Sequence, residues 1–156
     1  MERRQTVPRQ WLIINAPVKE RAWTVLRKLP PGTGVLLVGD DMPQRDREKL
    51  LRRLRQLASV RPLTLVDEQH GGAARVHDRI ELRQALLQRT PLVLLSPIYP
   101  TQSHPDWPAL GRMRAAAFAR LARRRLIALG GMDDRRFAQV RAFGFQAWAG
   151  ISAFRT

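Results

Sequence analysis

The chain has 156 residues, of which 44% are hydrophobic, and a formal net charge of +15. This length fits one domain over residues 1–156, with enough apolar side chains for a single core. The chain contains no cysteine, which excludes disulfides, thiolate metal sites and a cysteine nucleophile. No stretch approaches the roughly 20 apolar residues of a membrane span, so we expect a cytoplasmic protein with no membrane partner.

The positive charge comes almost entirely from arginine, since Lys19, Lys28 and Lys49 are the only lysines. A surface of this charge is typical of proteins that bind nucleic acid through phosphate contacts. The arginines fall mostly on predicted helix surfaces, however, and no nucleic-acid motif accompanies them. We therefore favour solvated helix faces as the explanation and do not expect a nucleic-acid partner.

Predicted strands and helices alternate along the chain. Short apolar runs of this kind, several rich in β-branched residues, are typical of strands buried on both faces of a parallel sheet. The predicted strands are residues 11–15, 34–39, 63–67, 73–77, 92–96, 126–130 and 147–151. The predicted helices are residues 18–29, 43–58, 80–88, 112–124 and a fifth that Asp133 or Asp134 caps and Gly144 ends. In the fourth helix, the apolar spacing predicts an inward face of Met113, Ala117, Phe118 and Leu121.

One junction is too short for this repeated pattern. A connection between parallel strands takes about a dozen or more residues, but only residues 68–72 join the third and fourth predicted strands. A complete eight-stranded barrel also takes about 200–250 residues. The fold class we predict is therefore α/β, a shortened TIM-type (β/α) barrel. It lacks one strand-helix unit between the third strand and the strand that runs into Val76-His77-Asp78.

The C-terminal half carries a family pattern in two stretches. The first is residues 95–105, LSPIYPTQSHP, and the second is residues 127–132, IALGGM, followed by residues 148–153, WAGISA. Together with Val76-His77-Asp78, they resemble the last strands of the thiamine phosphate synthase superfamily, which includes the TenI-type thiazole tautomerases. The resemblance runs from about Ala73 to Phe154, and the N-terminal half matches it only in strand-helix rhythm.

The resemblance implies that the ends of the last two strands bind a phosphorylated thiazole or thiamine phosphate. Backbone N–H groups of Gly130, Gly131, Ile151 and Ser152 would bind the phosphate, with the Ser152 hydroxyl as a further donor. Thr101 matches a family threonine that contacts the substrate phosphate. A tight strand-to-helix turn would also explain the two glycines, and a loop cap would also explain Thr101.

The other end of the implied site departs from the family. Joining a pyrimidine diphosphate to a thiazole phosphate requires Mg²⁺ and cationic side chains for the departing pyrophosphate. The family's basic residues at the second strand are absent from residues 38–41, and Asp67 alone is left as a metal ligand. We therefore expect a weakened Mg²⁺ site at Asp67. His104 stands in place of a family lysine, and His77 and His104 are the candidate acid/base residues.

These departures leave several functions open. The family implies a transferase of thiamine biosynthesis, but the missing residues argue against full coupling of hydroxymethylpyrimidine diphosphate to thiazole phosphate. One alternative is a thiazole tautomerase-like enzyme, in which His77 or His104 would act because Pro97 stands where that enzyme's histidine is expected. Another is a non-catalytic phosphate-ligand or nucleic-acid-binding protein on a degenerate barrel. Because the missing unit would expose two strand edges, we also expect a homodimer whose partner covers residues 68–75.

Overall fold

The computed structural model of the protein describes residues 7–39, 41–102 and 104–151. The strands in these residues are β1 (Gln10–Ile14), β2 (Gly34–Leu37), β3 (Thr64–Asp67), β4 (Ala73–Val76), β5 (Leu92–Leu95), β6 (Leu126–Leu129) and β7 (Phe145–Gly150). The α-helices are α1 (Glu20–Arg27), α2 (Gln44–Val60), α3 (Arg79–Leu87), α4 (Gly111–Ala122) and α5 (Asp134–Val140). None of these helices has the length and apolar character needed to cross a membrane.

The strands form one parallel sheet in the order β3-β2-β1-β7-β6-β5-β4. Because β1 pairs with both β2 and β7, the first and last described strands are neighbours in the middle of the sheet, which curls into an incomplete barrel. Between β3 and β4, no pairing is present in the described residues. The prediction of a shortened (β/α) barrel with a strand-helix unit missing at this place is confirmed.

The short link across this gap follows a tight path. A 3₁₀ turn over Glu68–His70 follows β3, and Gly71 then adopts a φ of +75°, which favours glycine. Gly72 lies close to β3, because a Cβ at this position would be 2.8 Å from Cγ1 of Val66. The two glycines therefore allow the chain to turn from β3 into β4 without a crossover helix.

The apolar side chains form two layers between the sheet and the helices, and a third cluster inside the barrel. Trp11 fills the interior toward the amino ends of the strands, where it is 1% exposed. Gly34 lies opposite Trp11 in the register of β1 and β2, and a Cβ on Gly34 would be 2.3 Å from the Trp11 ring. The interior is thus packed below the carboxyl ends of the strands, so a ligand that enters the barrel has room only at those ends.

The inward face that the sequence predicts for α4 is only partly correct. Phe118 is buried, but Ala117 is exposed, and Met113 and Leu121 are 80% and 55% exposed. The buried residues of α4 are Phe118 and three alanines, Ala115, Ala119 and Ala122. Because alanine lets a helix approach its neighbours closely, the alanine side packs against the core, and the Met113 side faces outward.

Candidate functional site

A cavity of about 80 Å³ lies at the carboxyl ends of the strands. In barrels of this class, ligands bind at this end. Residues from the ends of β1, β2, β4, β5, β6 and β7 line it, together with the loop between β5 and α4. The predicted site residues among them are His77, Thr101, His104, Gly130, Gly131 and Ile151. Asp67 is not part of this lining, and Ser152 lies outside the described residues.

Gly130 and Gly131 form a turn directly after β6, with φ angles of +99° and +61°. A Cβ on Gly130 would be 2.6 Å from Cα of Pro97, and a Cβ on Gly131 would be 2.5 Å from the carbonyl oxygen of Pro100. The loop also donates a backbone hydrogen bond from Tyr99 N–H to the Gly130 carbonyl, at 3.1 Å. Glycine is therefore required at both positions, because the loop after β5 lies directly against this turn.

Two backbone donors at this end of the barrel are available to an anion. The N–H groups of Gly131 and Ile151 make no hydrogen bond to another described residue. Both residues line the cavity. Since an unpaired backbone N–H that is shielded from water is costly, a bound anion would be a favourable partner for these groups.

His77 is held in a defined orientation at the end of β4. Its Nδ1 lies 2.9 Å from the carbonyl oxygen of Ser96 and 3.1 Å from the Ser96 hydroxyl. A carbonyl oxygen only accepts, so Nδ1 donates to it, and a neutral His77 keeps Nε2 as a proton acceptor. The backbone N–H of His77 donates to the Glu81 carboxylate at 2.8 Å, which ties the residue to α3.

The structure brings the two candidate acid/base residues to the same aromatic ring. His104 stacks on Trp107, with ring centroids 4.0 Å apart and an interplanar angle of 10°. His77 meets Trp107 edge to face, with centroids 4.9 Å apart. Trp107 was not predicted as a site residue. The sequence feature that could have indicated Trp107 is its position in the same loop as His104, three residues further along the chain.

Arg75 is a second candidate site residue that was not predicted from the sequence. It lines the cavity from β4, two residues before His77 and therefore on the same face of the strand. Its guanidinium makes a bidentate ion pair with the Glu68 carboxylate, with Nε–Oε2 and Nη2–Oε1 distances of 3.0 and 3.1 Å. The pair bridges the gap between β3 and β4, and both side chains are partly exposed.

Asp67, the predicted Mg²⁺ ligand, already has partners on both carboxylate oxygens. Oδ1 binds the guanidinium of Arg47 and the N–H of Gln69, and Oδ2 lies 2.7 Å from Nδ1 of His70. Arg47 is 1% exposed and also donates to the Gly39 carbonyl at 2.8 Å. Burial raises the pKa of Asp67, but the hydrogen bonds from Arg47, His70 and Gln69 outweigh it, so this pKa lies below its ordinary value.

These contacts do not fit a Mg²⁺ site. Mg²⁺ demands near-octahedral oxygen coordination, whereas the Arg47 guanidinium donates to Oδ1 of Asp67 and His70 lies against Oδ2, so both oxygens that would serve as ligands have other partners. Across the described ranges, no group of three or more His, Cys, Asp or Glu side chains has the arrangement to hold a metal ion. Arg47 instead places a positive charge at the end of β2, where the sequence around residues 38–41 contains no basic side chain.

The comparisons with known proteins agree with this architecture. The sequence model of a family described as thiamine monophosphate synthase matches residues 71–154, just over half of the chain. Among solved structures, the chain is similar to thiamine phosphate pyrophosphorylase from Pyrococcus furiosus, with a TM-score of 0.75 and 14% identity over 96% of this chain and 88% of that chain. At this identity the likeness shows the fold alone, and no curated protein matches the chain. The family match identifies the chain as a member of the thiamine monophosphate synthase family.

Proposed function

We propose that the protein acts in thiamine biosynthesis by binding a phosphorylated thiazole or thiamine phosphate at the mouth of the barrel. The observation that carries this proposal is the convergence of the predicted residues. His77, Thr101, Gly131 and Ile151 come from separate segments of the chain and line one cavity. The phosphate would lie against the N–H groups of Gly131 and Ile151, with Gly130 and Thr101 beside it. Ser152, which lies outside the described residues, stays a contact that the resemblance implies.

The size and charge of the cavity favour a single phosphate group. Its volume of about 80 Å³ is well below the roughly 300–1,000 Å³ of pockets that enclose a whole drug-sized ligand. The heterocycle of the ligand would therefore lie at the rim beside Trp107, which is 43% exposed. Arg75 is the cationic side chain in the lining, and Glu68 neutralises much of its charge. This environment is poorly suited to a diphosphate, so we do not expect the complete coupling reaction.

A tautomerase-like activity is the second candidate, and the tautomer of His77 favours it. With Nδ1 hydrogen-bonded to Ser96, the Nε2 atom of a neutral His77 is free to accept a proton. It would take a proton from one atom of the thiazole and return a proton to another, with no change of oxidation state. Trp107 and His104 would hold the ring while this transfer takes place.

The binding proposal is tested by calorimetry and thermal unfolding with hydroxyethylthiazole phosphate and the same thiazole without phosphate. We expect only the phosphorylated compound to raise the melting temperature, because a ligand that binds the native state stabilises it. Gly131→Ala and the milder Thr101→Val should weaken binding. Gly32→Ala is the matched control, since Gly32 also has a positive φ but lies at the opposite end of the barrel. Equal binding of both thiazoles would refute the phosphate site.

Activity is measured separately on the same protein. Formation of thiamine phosphate from both substrates with Mg²⁺ would show that coupling survives and would refute our expectation that it does not. If no product forms but thiazole phosphate binds, NMR of a thiazole tautomer substrate distinguishes turnover from binding alone. His77→Gln should abolish turnover and preserve binding. For the nucleic-acid alternative, affinity for a duplex oligonucleotide should fall steeply with salt, whereas thiazole phosphate binding should depend on salt only weakly.

A further inference from the structure

An open groove runs between α3 and α4 on the outside of the barrel, with a volume of about 420 Å³. The apolar residues in its lining are Ile80 from α3 and Ala117, Phe118 and Leu121 from α4. Arg79 and Arg114 also line it, one from each helix. The groove is not part of the ligand cavity, although His77 contributes to the walls of both.

The apolar side chains around this groove are unusually exposed. Ile80 is 70% exposed, and Leu121 is 55% exposed. Met113, 80% exposed, lies on the same face of α4, because Met113, Ala117 and Leu121 are spaced at intervals of four residues. Single exposed apolar residues are ordinary, but a contiguous apolar patch with a charged rim marks an interaction surface.

The rim of the groove is mainly positively charged, because Arg79 and Arg114 line it together with one carboxylate, Asp78. Arg79 and Arg114 make no ion pair within the described part of the chain. The nearby carboxylates are engaged locally, since Asp78 accepts from the N–H of Glu81 and Glu81 accepts from the N–H of His77. Further exposed arginines on the same two helices are Arg83, Arg112 and Arg120.

We propose that this groove docks an acidic amphipathic helix of a partner protein. The apolar face of that helix would cover Ile80, Ala117 and Leu121, and its carboxylates would pair with Arg79 and Arg114. This is the helix-in-groove mode of recognition, in which apolar anchors provide affinity and charges select the partner. A second copy of the chain is a poorer occupant, because a symmetric contact would bring the same arginines together.

The proposal does not depend on which ligand the barrel binds. It is tested by fluorescence anisotropy with a labelled peptide of about 18 residues, long enough for several helical turns. The peptide carries leucines at the spacing i, i+3, i+4, i+7 and glutamates elsewhere. A second peptide has lysine in place of every glutamate, and a third has the first composition in scrambled order. We expect saturable binding of the first peptide and binding at least about tenfold weaker for the other two.

Variants then locate the binding surface. Leu121→Ser and Arg114→Glu should each reduce the affinity for the first peptide about tenfold, the usual loss for an anchor residue. The melting temperature of each variant should stay near that of the unmutated protein. Val60→Ser and Arg55→Glu are the matched controls, because both residues are exposed on α2, away from the groove. They should leave the affinity unchanged.

Three results would each overturn the proposal. Equal binding of the scrambled peptide would mean that the surface attracts negative charge without recognising a helix. If Leu121→Ser melts normally and binds the first peptide with unchanged affinity, the peptide binds elsewhere on the protein. Conversion of a dimer to a monomer by Leu121→Ser, seen by light scattering without peptide, would identify a second copy as the occupant.

Discussion

The guanidinium of Arg47 binds the carboxylate of Asp67 where β2 and β3 end, and both side chains are buried, with 1% and 8% of their surface exposed. Arg47 lies in the first turn of α2, and its second nitrogen donates to the Gly39 carbonyl. The pair thus links the beginning of a helix to the ends of two neighbouring strands. Its predicted effects concern stability, pH dependence and metal dependence.

Replacing Arg47 by methionine should destabilise the protein by about 3 kcal/mol, the lower end of the range for removing one partner of a buried ion pair. The loss stays at the lower end because His70 and the Gln69 N–H remain bound to Asp67. Urea unfolding measures the change. Arg52→Met, at an exposed position of the same helix, should change the free energy of unfolding by less than about 0.5 kcal/mol. Equal stability of the two variants would contradict a structural role for the pair.

The lowered pKa of Asp67 predicts a loss of stability in acid. In the unfolded chain this carboxyl titrates near pH 3.9, and in the folded protein it titrates at a lower pH. Between these two values the unfolded state binds more protons, so the free energy of unfolding falls as the pH decreases through that window. Asp67→Asn should flatten this part of the curve when urea unfolding is measured from about pH 5 downward. An unchanged slope in Asp67→Asn would assign the acid sensitivity to other carboxyls.

Ligand binding should be independent of magnesium, because Arg47 and His70 already occupy the carboxylate of Asp67. The affinity for hydroxyethylthiazole phosphate should change less than about twofold between excess EDTA and millimolar Mg²⁺. A divalent cation that took part in binding would stabilise the negative charge of the phosphate by several kcal/mol and would change the affinity far more. Isothermal titration calorimetry gives both values on the same sample. A strong requirement for Mg²⁺ that Asp67→Asn removes would restore Asp67 as a metal ligand.

The link across the gap between β3 and β4 packs closely against β3 because residue 72 has no side chain. In Gly72→Ala, the new Cβ would lie 2.8 Å from Cγ1 of Val66, which should cost about 1–3 kcal/mol by overpacking. Val66→Ala removes the methyl group that clashes. The double variant should therefore lose less stability than the sum of the single variants, as measured by urea unfolding. Strict additivity would show that the link does not pack against β3 in this way.

The expected homodimer remains a prediction, and the structure shows the feature that motivates it. β3 and β4 each have one unpaired edge in the described residues, and unpaired edges favour association with another chain. Light scattering at micromolar concentration should give twice the chain mass of 17.9 kDa, and hydrogen exchange should show protection of residues 68–75 on association. A monomer at all concentrations would exclude this assembly.

The sequence by itself determined the order of the strands and helices and predicted that the candidate site residues lie at the carboxyl ends of the strands. The seven apolar runs predicted the seven strands, because strands buried on both faces must be apolar throughout. Residues placed at strand ends, such as His77, Gly131 and Ile151, could be expected to converge, since parallel strands of a barrel end at the same side. The short link at residues 68–72 predicted the gap, because no crossover helix fits within it.

Only the tertiary structure decided which side chains these elements bring together. Arg47 precedes Leu50, Leu51 and Leu54 by three, four and seven residues, so it shares their face of α2, but only the fold shows that it is buried against Asp67 at the ends of β2 and β3. Trp107 lies in a loop without periodicity, so its contact with His77 depends on how that loop folds over the cavity. The rotation of α4, which exposes Met113 and Leu121, depends on how closely its alanines approach the core. Such contacts join residues far apart in the chain, and their energies depend on distances that local sequence patterns do not contain.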